Sequence, residues 1–280
     1  MRLKLFIFVL STIFFANCNH SDDNELIKKE EIIKIEEPLI IKKQENLVKS
    51  IEITQKKEDV ITTSKVEFTY DNQNRLLEIK NLRGENLKYE YLSENSLVVH
   101  ATDIASENVT KYIFALDSKT KMALSLQVES QDNPYVNTDK FIFDYNSKIQ
   151  LSSITFTNKN IFDKETYIWS EDYSYPVSTV SQFDIEYLTF EGSEFLNNAS
   201  IDINALISNY PNFIHPKYAV YSGHLGEKAK YLIKNVNSSV YGYDYIFNTN
   251  TKGLIEKVTI GKINKKENVS EITTYFISYN

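Results

Sequence analysis

The lone cysteine, Cys18, is the residue whose chemistry the sequence indicates most clearly. It follows a basic start and an apolar run over residues 5–15, which is the arrangement of a secretory leader. That run is too short to cross a bilayer as a helix, which takes about twenty residues. A thiol at the end of such a leader is an acceptor for lipid, although Phe15 and Asn17 depart from the usual residues before the cleaved bond. We expect residues 1–17 to be a lipoprotein signal peptide and Cys18 to carry the lipid; the alternative is an incidental cysteine after an ordinary secretory leader.

The segment after Cys18 predicts where the lipid would hold the protein. Asp22 and Asp23 form an acidic patch of the kind that directs some bacterial lipoproteins to the outer face of the outer membrane. Residues 18–47 are otherwise rich in Lys and Glu, with a poor helical pattern, and predict a flexible charged tether. We expect lipid anchoring in the outer membrane, at the cell surface rather than on the periplasmic face, with an ordinary hydrophilic tether as the alternative.

A second group of residues could bind a ligand through aromatic rings. Trp169, the only tryptophan, lies near Tyr173 and Tyr175, with Glu171 and Asp172 between them. Aromatic faces can cover the C–H face of a sugar while carboxylates accept hydrogen bonds from its hydroxyls. Trp169, Tyr173 and Tyr175 are therefore a candidate platform for an extended ligand such as a glycan. The alternative is core packing, because Trp169 shares a strand face with Tyr167.

The histidines, the lack of catalytic motifs and the net charge argue against a catalytic function and against nucleic-acid binding. His100 is expected to face solvent on a strand, and His215 and His224, nine residues apart, make a weak catalytic or metal pair. No nucleophile, zinc or phosphate-loop motif occurs, so we expect no enzyme, no metal and no cofactor, although a glycosidase-like carboxylate pair stays open. The net charge of −7, without a basic stripe, argues against nucleic acid as a partner.

The elements that would position these residues are β-strands. Several segments alternate apolar and polar residues with a period of two, and each predicts a half-buried antiparallel strand. They are residues 64–70, 87–91, 124–128, 141–145 and 241–247. The five prolines are expected between strands, and residues 201–208 predict one or two helical turns. With no second cysteine available for a disulfide, the domain over residues 48–280 must be stabilised by its core.

A similar turn follows several strands. Residues 70–76 resemble 143–149 and 247–254: an aromatic residue, then Asp and Asn, then an aliphatic residue that opens the next strand. The repeated unit is predicted to be a β-hairpin. The oxygen-rich turn at Asp71 is not expected to bind calcium, because the spaced acidic ligands of a calcium loop are missing.

These segments carry a resemblance to a known family. The hairpin at residues 68–79, the segments 201–206 and 223–228, and the closing strands 245–258 and 275–279 resemble a family of bacterial lipoproteins of unknown function described as having a porin-like fold. The resemblance spans residues 48–280. It implies an antiparallel meander that curls into a barrel or barrel-like sheet, and it implies no activity, ligand or site residue.

The polarity of the strands predicts that this barrel stays in water. The strand face opposite the apolar residues carries six charged side chains: Lys65, Glu67, Glu78, Lys80, Lys88 and Glu90. A membrane barrel turns an apolar band outward instead. We therefore expect a soluble all-β barrel tethered to the membrane by lipid, with two candidate functions: binding of an extended ligand, or a structural or adhesive role without a small ligand.

Overall fold

The computed structural model describes residues 45–130, 136–159, 161–172, 174–181, 187–208, 215–265 and 270–280. These residues form sixteen strands, two short helices and one 3-10 turn. The strands are β1 (Val48–Lys57), β2 (Val60–Tyr70), β3 (Leu76–Leu82), β4 (Glu85–Ser93), β5 (Ser96–Asp103), β6 (Val109–Leu116), β7 (Ala123–Ser130), β8 (Lys140–Tyr145), β9 (Leu151–Asn158), β10 (Ile161–Trp169), β11 (Pro176–Ser181), β12 (Tyr187–Leu196), β13 (Tyr231–Asn237), β14 (Tyr241–Thr249), β15 (Ile255–Asn264) and β16 (Ser270–Tyr279). The helices are α1 (Ile203–Ile207) and α2 (Lys217–Tyr221), and the 3-10 turn is Val136–Thr138.

Every strand pairs antiparallel with its neighbours in the chain, and the sheet closes on itself. Closure comes from β1 and β16, which pair from Val48 with Tyr279 to Lys57 with Glu271. The prediction of an all-β antiparallel meander that curls into a barrel is confirmed, and the barrel is closed. All five segments predicted from alternation lie within strands, and the helical turn predicted at residues 201–208 is α1.

The barrel buries its apolar side chains inside. Along β4, Leu87 and Tyr89 are buried while Lys88 between them is exposed, and the same alternation holds in β6 and β14. Since successive side chains of a strand point to opposite faces, one apolar face per strand is enough to build a continuous core. The core extends around the whole barrel, from Ile51 on β1 to Ile277 on β16.

The turns separate the barrel into two rims. The terminal rim carries the start of β1 at Val48 and the end of β16 at Tyr279, together with the β2–β3, β8–β9 and β14–β15 turns. The distal rim, at the other end of the barrel, carries the β1–β2, β3–β4 and β15–β16 connections. The first set shares one geometry: Asp71, Asn146 and Asn250 each accept, through Oδ1, the backbone N–H groups two and four residues later. Asp and Asn suit this role because their short side chains mimic a turn of backbone.

Two details of the sequence prediction were wrong. The second turn begins at Asn146 rather than at Asp144, so Leu151 and not Ile149 opens the next strand. Pro176 is the first residue of β11 rather than part of a connection, a place where a missing N–H costs no ladder bond.

No helix among the described residues has the length and apolar character needed to cross a membrane.

Candidate functional site

The described part of the long connection between β12 and β13 lies inside the barrel. We call this part, residues 197–208 and 215–230, the plug. Tyr89 on β4 donates a hydrogen bond from its hydroxyl to the carbonyl of Tyr218 at 3.2 Å, and Tyr245 on β14 reaches the carbonyl of Ile207 at 3.4 Å. Both tyrosines belong to the inward face of their strands. The plug therefore contacts opposite parts of the wall and fills the interior between them.

Buried polar side chains fix the plug to the barrel. Asn204 is fully buried, and its amide bonds to the backbone of β13 twice: Nδ2 donates to the carbonyl of Tyr231 at 3.0 Å, and Oδ1 accepts from the N–H of Ile233 at 2.9 Å. Asp202 caps α1 by accepting the N–H of Asn204 and also accepts from Asn197 Nδ2 at 2.7 Å. A buried amide that satisfies two backbone groups specifies one position of the plug, because any other position leaves those groups unpaired.

The plug brings ionisable groups into the interior. Lys217 is 3% exposed, and its Nζ donates to the carbonyl of Ser208 at 3.0 Å. Burial, together with the positive charge of Arg83, lowers the pKa of Lys217 to about 7, and Glu165 and Asp202 oppose this shift. Burial raises the pKa of Asp202. A perturbed lysine in a barrel interior is a candidate functional group, although structural networks perturb pKa values in the same way.

The histidines lie in different surroundings. His100 is on the outer wall, 3.2 Å from Glu90, as the sequence predicted. His215 packs against the ring of Tyr112 at 5.0 Å, whereas His224 packs against Tyr91 at 5.8 Å and contacts Ser222 Oγ through Nδ1. Burial lowers the pKa of His215, and it lowers that of His224 to about 4. Within the described ranges, no three His, Cys, Asp or Glu side chains are grouped to hold a metal ion.

The predicted aromatic platform is only partly described. Trp169 ends β10, packs partly buried against the core, and donates from Nε1 to the carbonyl of Leu151 at 2.8 Å. The ring of Tyr175 lies against Gly192 on β12, so close that a Cβ there would be 2.5 Å from a ring carbon. Tyr173 lies outside the described residues, and so does Cys18. The platform and the lipid attachment stay predictions.

Asp172, between Trp169 and Tyr173 in the sequence, organises its own turn. Its carboxylate accepts hydrogen bonds from the hydroxyls of Ser170 at 2.6 Å and Ser174 at 2.7 Å, and from the N–H of Ser174. These bonds lower the pKa of Asp172 to about 2, the Ser170 hydroxyl contributing most.

A group that the sequence analysis missed lies inside the distal rim. Tyr241 and Tyr243 on β14, Lys262 on β15 and Glu271 on β16 meet there, and we call these four residues the mouth cluster. Tyr243 pairs with Lys262, and Lys262 pairs with Glu271, in one row across the three strands. The run Tyr241 to Phe247 did predict the strand, but pairing across β15 and β16 could not be read from one strand.

A cleft of about 720 Å³ opens at the terminal rim. It is lined by polar residues, among them Asn46, Asn250 and Lys252, and by the ring of Tyr279. The hydroxyl of Tyr279 is bonded to the carbonyl of Ile255 at 2.8 Å, and the backbone N–H of Asn280 is bonded to the carbonyl of Leu47 at 2.9 Å. The bond between Asn280 and Leu47 holds the end of β16 beside the start of β1 at this rim.

The outer wall carries charge on the strands where the sequence predicted it. Lys65 and Glu67 form an exposed ion pair at 2.7 Å, and Lys80 and Lys88 lie near glutamates on their own strands. Apolar side chains such as Ile246 are exposed between the charged ones. Ion pairs exposed in this way are screened by water and salt, so they contribute little to the stability of the wall.

Comparisons with known proteins support the fold. The structure is similar to a porin-like protein from Bacteroides uniformis ATCC 8492, with a TM-score of 0.65 and 17% sequence identity, over 83% of this chain and 96% of that one. A porin-like protein from Bacteroides vulgatus ATCC 8482 matches with a TM-score of 0.50 and 8% identity, over 84% and 99% of the two chains. No family model matches the sequence, and no curated protein does. At these identities the similarity shows the porin-like fold and nothing about ligand or location.

Proposed function

We propose that this protein is a lipoprotein of the outer membrane, held by lipid on Cys18, whose barrel stays in water and binds an extended glycan without catalysing a reaction. The observation that carries the proposal is the polarity of the barrel wall: charged side chains such as Lys65, Glu67 and Lys88 lie on its outer face, and apolar side chains and the plug fill most of the interior. Membrane barrels have the opposite arrangement, an apolar outer band and a polar lumen. Each Lys or Arg turned to lipid at mid-bilayer would cost about 2–4 kcal/mol.

The test of anchoring separates a lipid tether from an inserted barrel. The leader is exchanged for one cleaved by the general signal peptidase, and Cys18 is replaced (Cys18→Ser) so that no lipid can be attached. We expect the wild type in the outer-membrane fraction and the variant in the soluble periplasmic fraction. A variant that stays in the outer membrane and needs detergent for extraction would show that the barrel itself is inserted. Protease treatment of intact cells then distinguishes display at the cell surface from exposure to the periplasm.

Glycan binding is supported by aromatic side chains that keep part of their surface exposed, among them Trp169, Tyr175, Tyr241 and Tyr243, because an aromatic face can cover the C–H face of a sugar. A panel of oligosaccharides titrated into the Cys18→Ser protein, followed by calorimetry, tests it. A structural or adhesive role without a small ligand is the second candidate, favoured by the ion-paired outer wall. It predicts no heat of binding with any sugar of the panel.

A further inference from the structure

We propose that the glycan site is the mouth cluster and that its ligand is an uncharged oligosaccharide. This inference rests on the proposed glycan binding and adds the site and the class of sugar. All four side chains face the lumen. Tyr245 and Phe247 are buried on the inward face of β14, and Tyr243 and Tyr241 share that face two and four residues before Tyr245. Lys262 and Glu271 lie on the same face because they pair in one row with Tyr243.

The position of the mouth cluster makes it reachable. Tyr245, one inward position deeper than Tyr243, is where β14 contacts the plug through the carbonyl of Ile207. The row of Tyr243, Lys262 and Glu271 is the next one toward the distal rim. Lys262 and Glu271 keep 36% and 29% of their side-chain surface exposed, so the row is open to solvent above the plug.

The geometry places stacking surfaces beside hydrogen-bonding groups. The ring centroids of Tyr241 and Tyr243 are 6.3 Å apart, with their planes inclined by 49°. Lys262 Nζ lies 4.8 Å from the centroid of Tyr241 and 3.8 Å from Glu271 Oε2. Two inclined rings can follow successive sugar units of a twisted chain, while the ammonium donates to hydroxyls and the carboxylate accepts from them.

The charges favour an uncharged ligand. Lys262 and Glu271 carry opposite charges at close range, so the fields of these two groups largely cancel for a ligand that bears net charge of either sign. Lys57, opposite Glu271 on β1, is exposed, so solvent and salt screen its charge. Each group still makes a charge-assisted hydrogen bond to a hydroxyl, which is stronger than a bond between neutral groups. A neutral chain of hydroxyl-bearing rings uses both groups, whereas an acidic sugar would be attracted by one and repelled by the other.

The predicted platform is less suited to the same ligand. The indole N–H of Trp169 is already bonded to Leu151, and one part of the Tyr175 ring is covered by Gly192. Both side chains thus contribute to packing of the wall around β10 to β12. The mouth cluster instead has a cation, an anion and two rings side by side on the lumen face.

The experiment uses the Cys18→Ser protein and calorimetry with cellohexaose, xylohexaose, maltohexaose and, as an acidic probe, hexagalacturonate. We expect one of the neutral sugars to bind and Tyr243→Ala to weaken it by about tenfold or more, because a central aromatic contact is lost. Tyr241→Ala and Lys262→Met should each weaken it as well, and Tyr243→Phe should keep most of the affinity. Ile246→Ala, on the outward face of the same strand, is the matched control and should change nothing.

The outcomes separate the site from the function. If a neutral sugar binds and the mouth variants keep full affinity at an unchanged melting temperature, the site is wrong and glycan binding stands. Loss of affinity in Tyr175→Ala alone would assign the ligand to the platform. Tighter binding of hexagalacturonate than of every neutral sugar would overturn the ligand class. If no sugar binds to the Cys18→Ser protein with its mouth cluster intact, the proposed glycan function fails and this inference fails with it.

Discussion

At the scale of single residues, Lys217 predicts how stability depends on pH. The pKa of its ammonium is about 7 in the folded protein, lowered by burial from an ordinary value of 10.5. Between these values the unfolded chain binds the proton more often, so the free energy of unfolding rises as pH rises from 7 toward 10.5. The slope from one such group reaches about 1.4 kcal/mol per pH unit.

The variant Lys217→Met removes this titration while keeping a side chain of similar length. We expect urea unfolding between pH 7 and pH 9.5 to give a slope smaller by about 1 kcal/mol per pH unit than in the wild type. Lys88→Met, an exposed lysine of the outer wall, is the control and should keep the wild-type slope. Equal slopes for Lys217→Met and the wild type would contradict the lowered pKa of the buried lysine.

Ile149 is a second residue with a measurable consequence. Its φ is 60°, in the left-handed region that costs a residue with a Cβ about 1–2 kcal/mol. The equivalent positions of the other two turns hold Asn74 and Gly253, which tolerate that conformation. We expect Ile149→Asn to raise the free energy of unfolding by about 1 kcal/mol, measured in urea. The control is Ile142→Asn, at an exposed position on β8 of the same hairpin, and it should not raise the free energy of unfolding. A lower free energy of unfolding in Ile149→Asn would mean that the packing of the Ile149 side chain outweighs the backbone strain.

At the scale of elements, the contact between β12 and the turn before β11 determines the position of Tyr175. Gly192→Ala would place a Cβ 2.5 Å from a carbon of the Tyr175 ring. The φ of Gly192 is not positive, so the substitution adds no backbone strain and its cost comes from this steric clash alone. We expect Gly192→Ala to lower stability by about 1–3 kcal/mol, the usual cost of overpacking. In a Tyr175→Ala background the same substitution should cost little. A double-mutant cycle by thermal unfolding measures this coupling, and additive effects would refute the contact.

The same elements show how much of the fold could be predicted from the sequence. Alternation of period two is a local property, so strands such as β2, β7 and β14 were predictable one by one, and so was their charged outer face. The position of the plug was not predictable, because the helical pattern at residues 201–208 does not show what α1 packs against. The burial of the plug depends on contacts with distant strands, such as that of Tyr89 with Tyr218. The mouth cluster was missed for the same reason: its members lie on three strands, and only the register of β14 to β16 brings them together.

At the scale of the whole molecule, the sixteen strands close into a barrel whose interior holds a packed core. Barrels of sixteen strands can leave an aqueous channel, since their interior is wider than facing side chains can fill. Here the interior contains aromatic side chains such as Tyr112 and Phe141, and the plug packs between them. The plug is therefore part of the core, and the fold depends on it as a globular domain depends on a buried helix.

This dependence predicts the result of removing the plug. Asn197 and Lys230 are bonded through backbone at 2.9 Å, so residues 198–229 can be replaced by Asn-Gly as a tight hairpin between β12 and β13. Burial of a large apolar side chain stabilises the folded protein by about 1.5–3 kcal/mol, and each wall side chain that the plug no longer covers loses this contribution. We therefore expect loss of cooperative thermal unfolding and strong binding of a hydrophobic dye. Conductance across a planar bilayer should stay at background. Asn-Gly in place of Glu58-Asp59, at the exposed β1–β2 turn, should leave melting unchanged. A shortened barrel that melts like the wild type, or that conducts ions, would show that the plug closes a pre-formed channel instead of building the core.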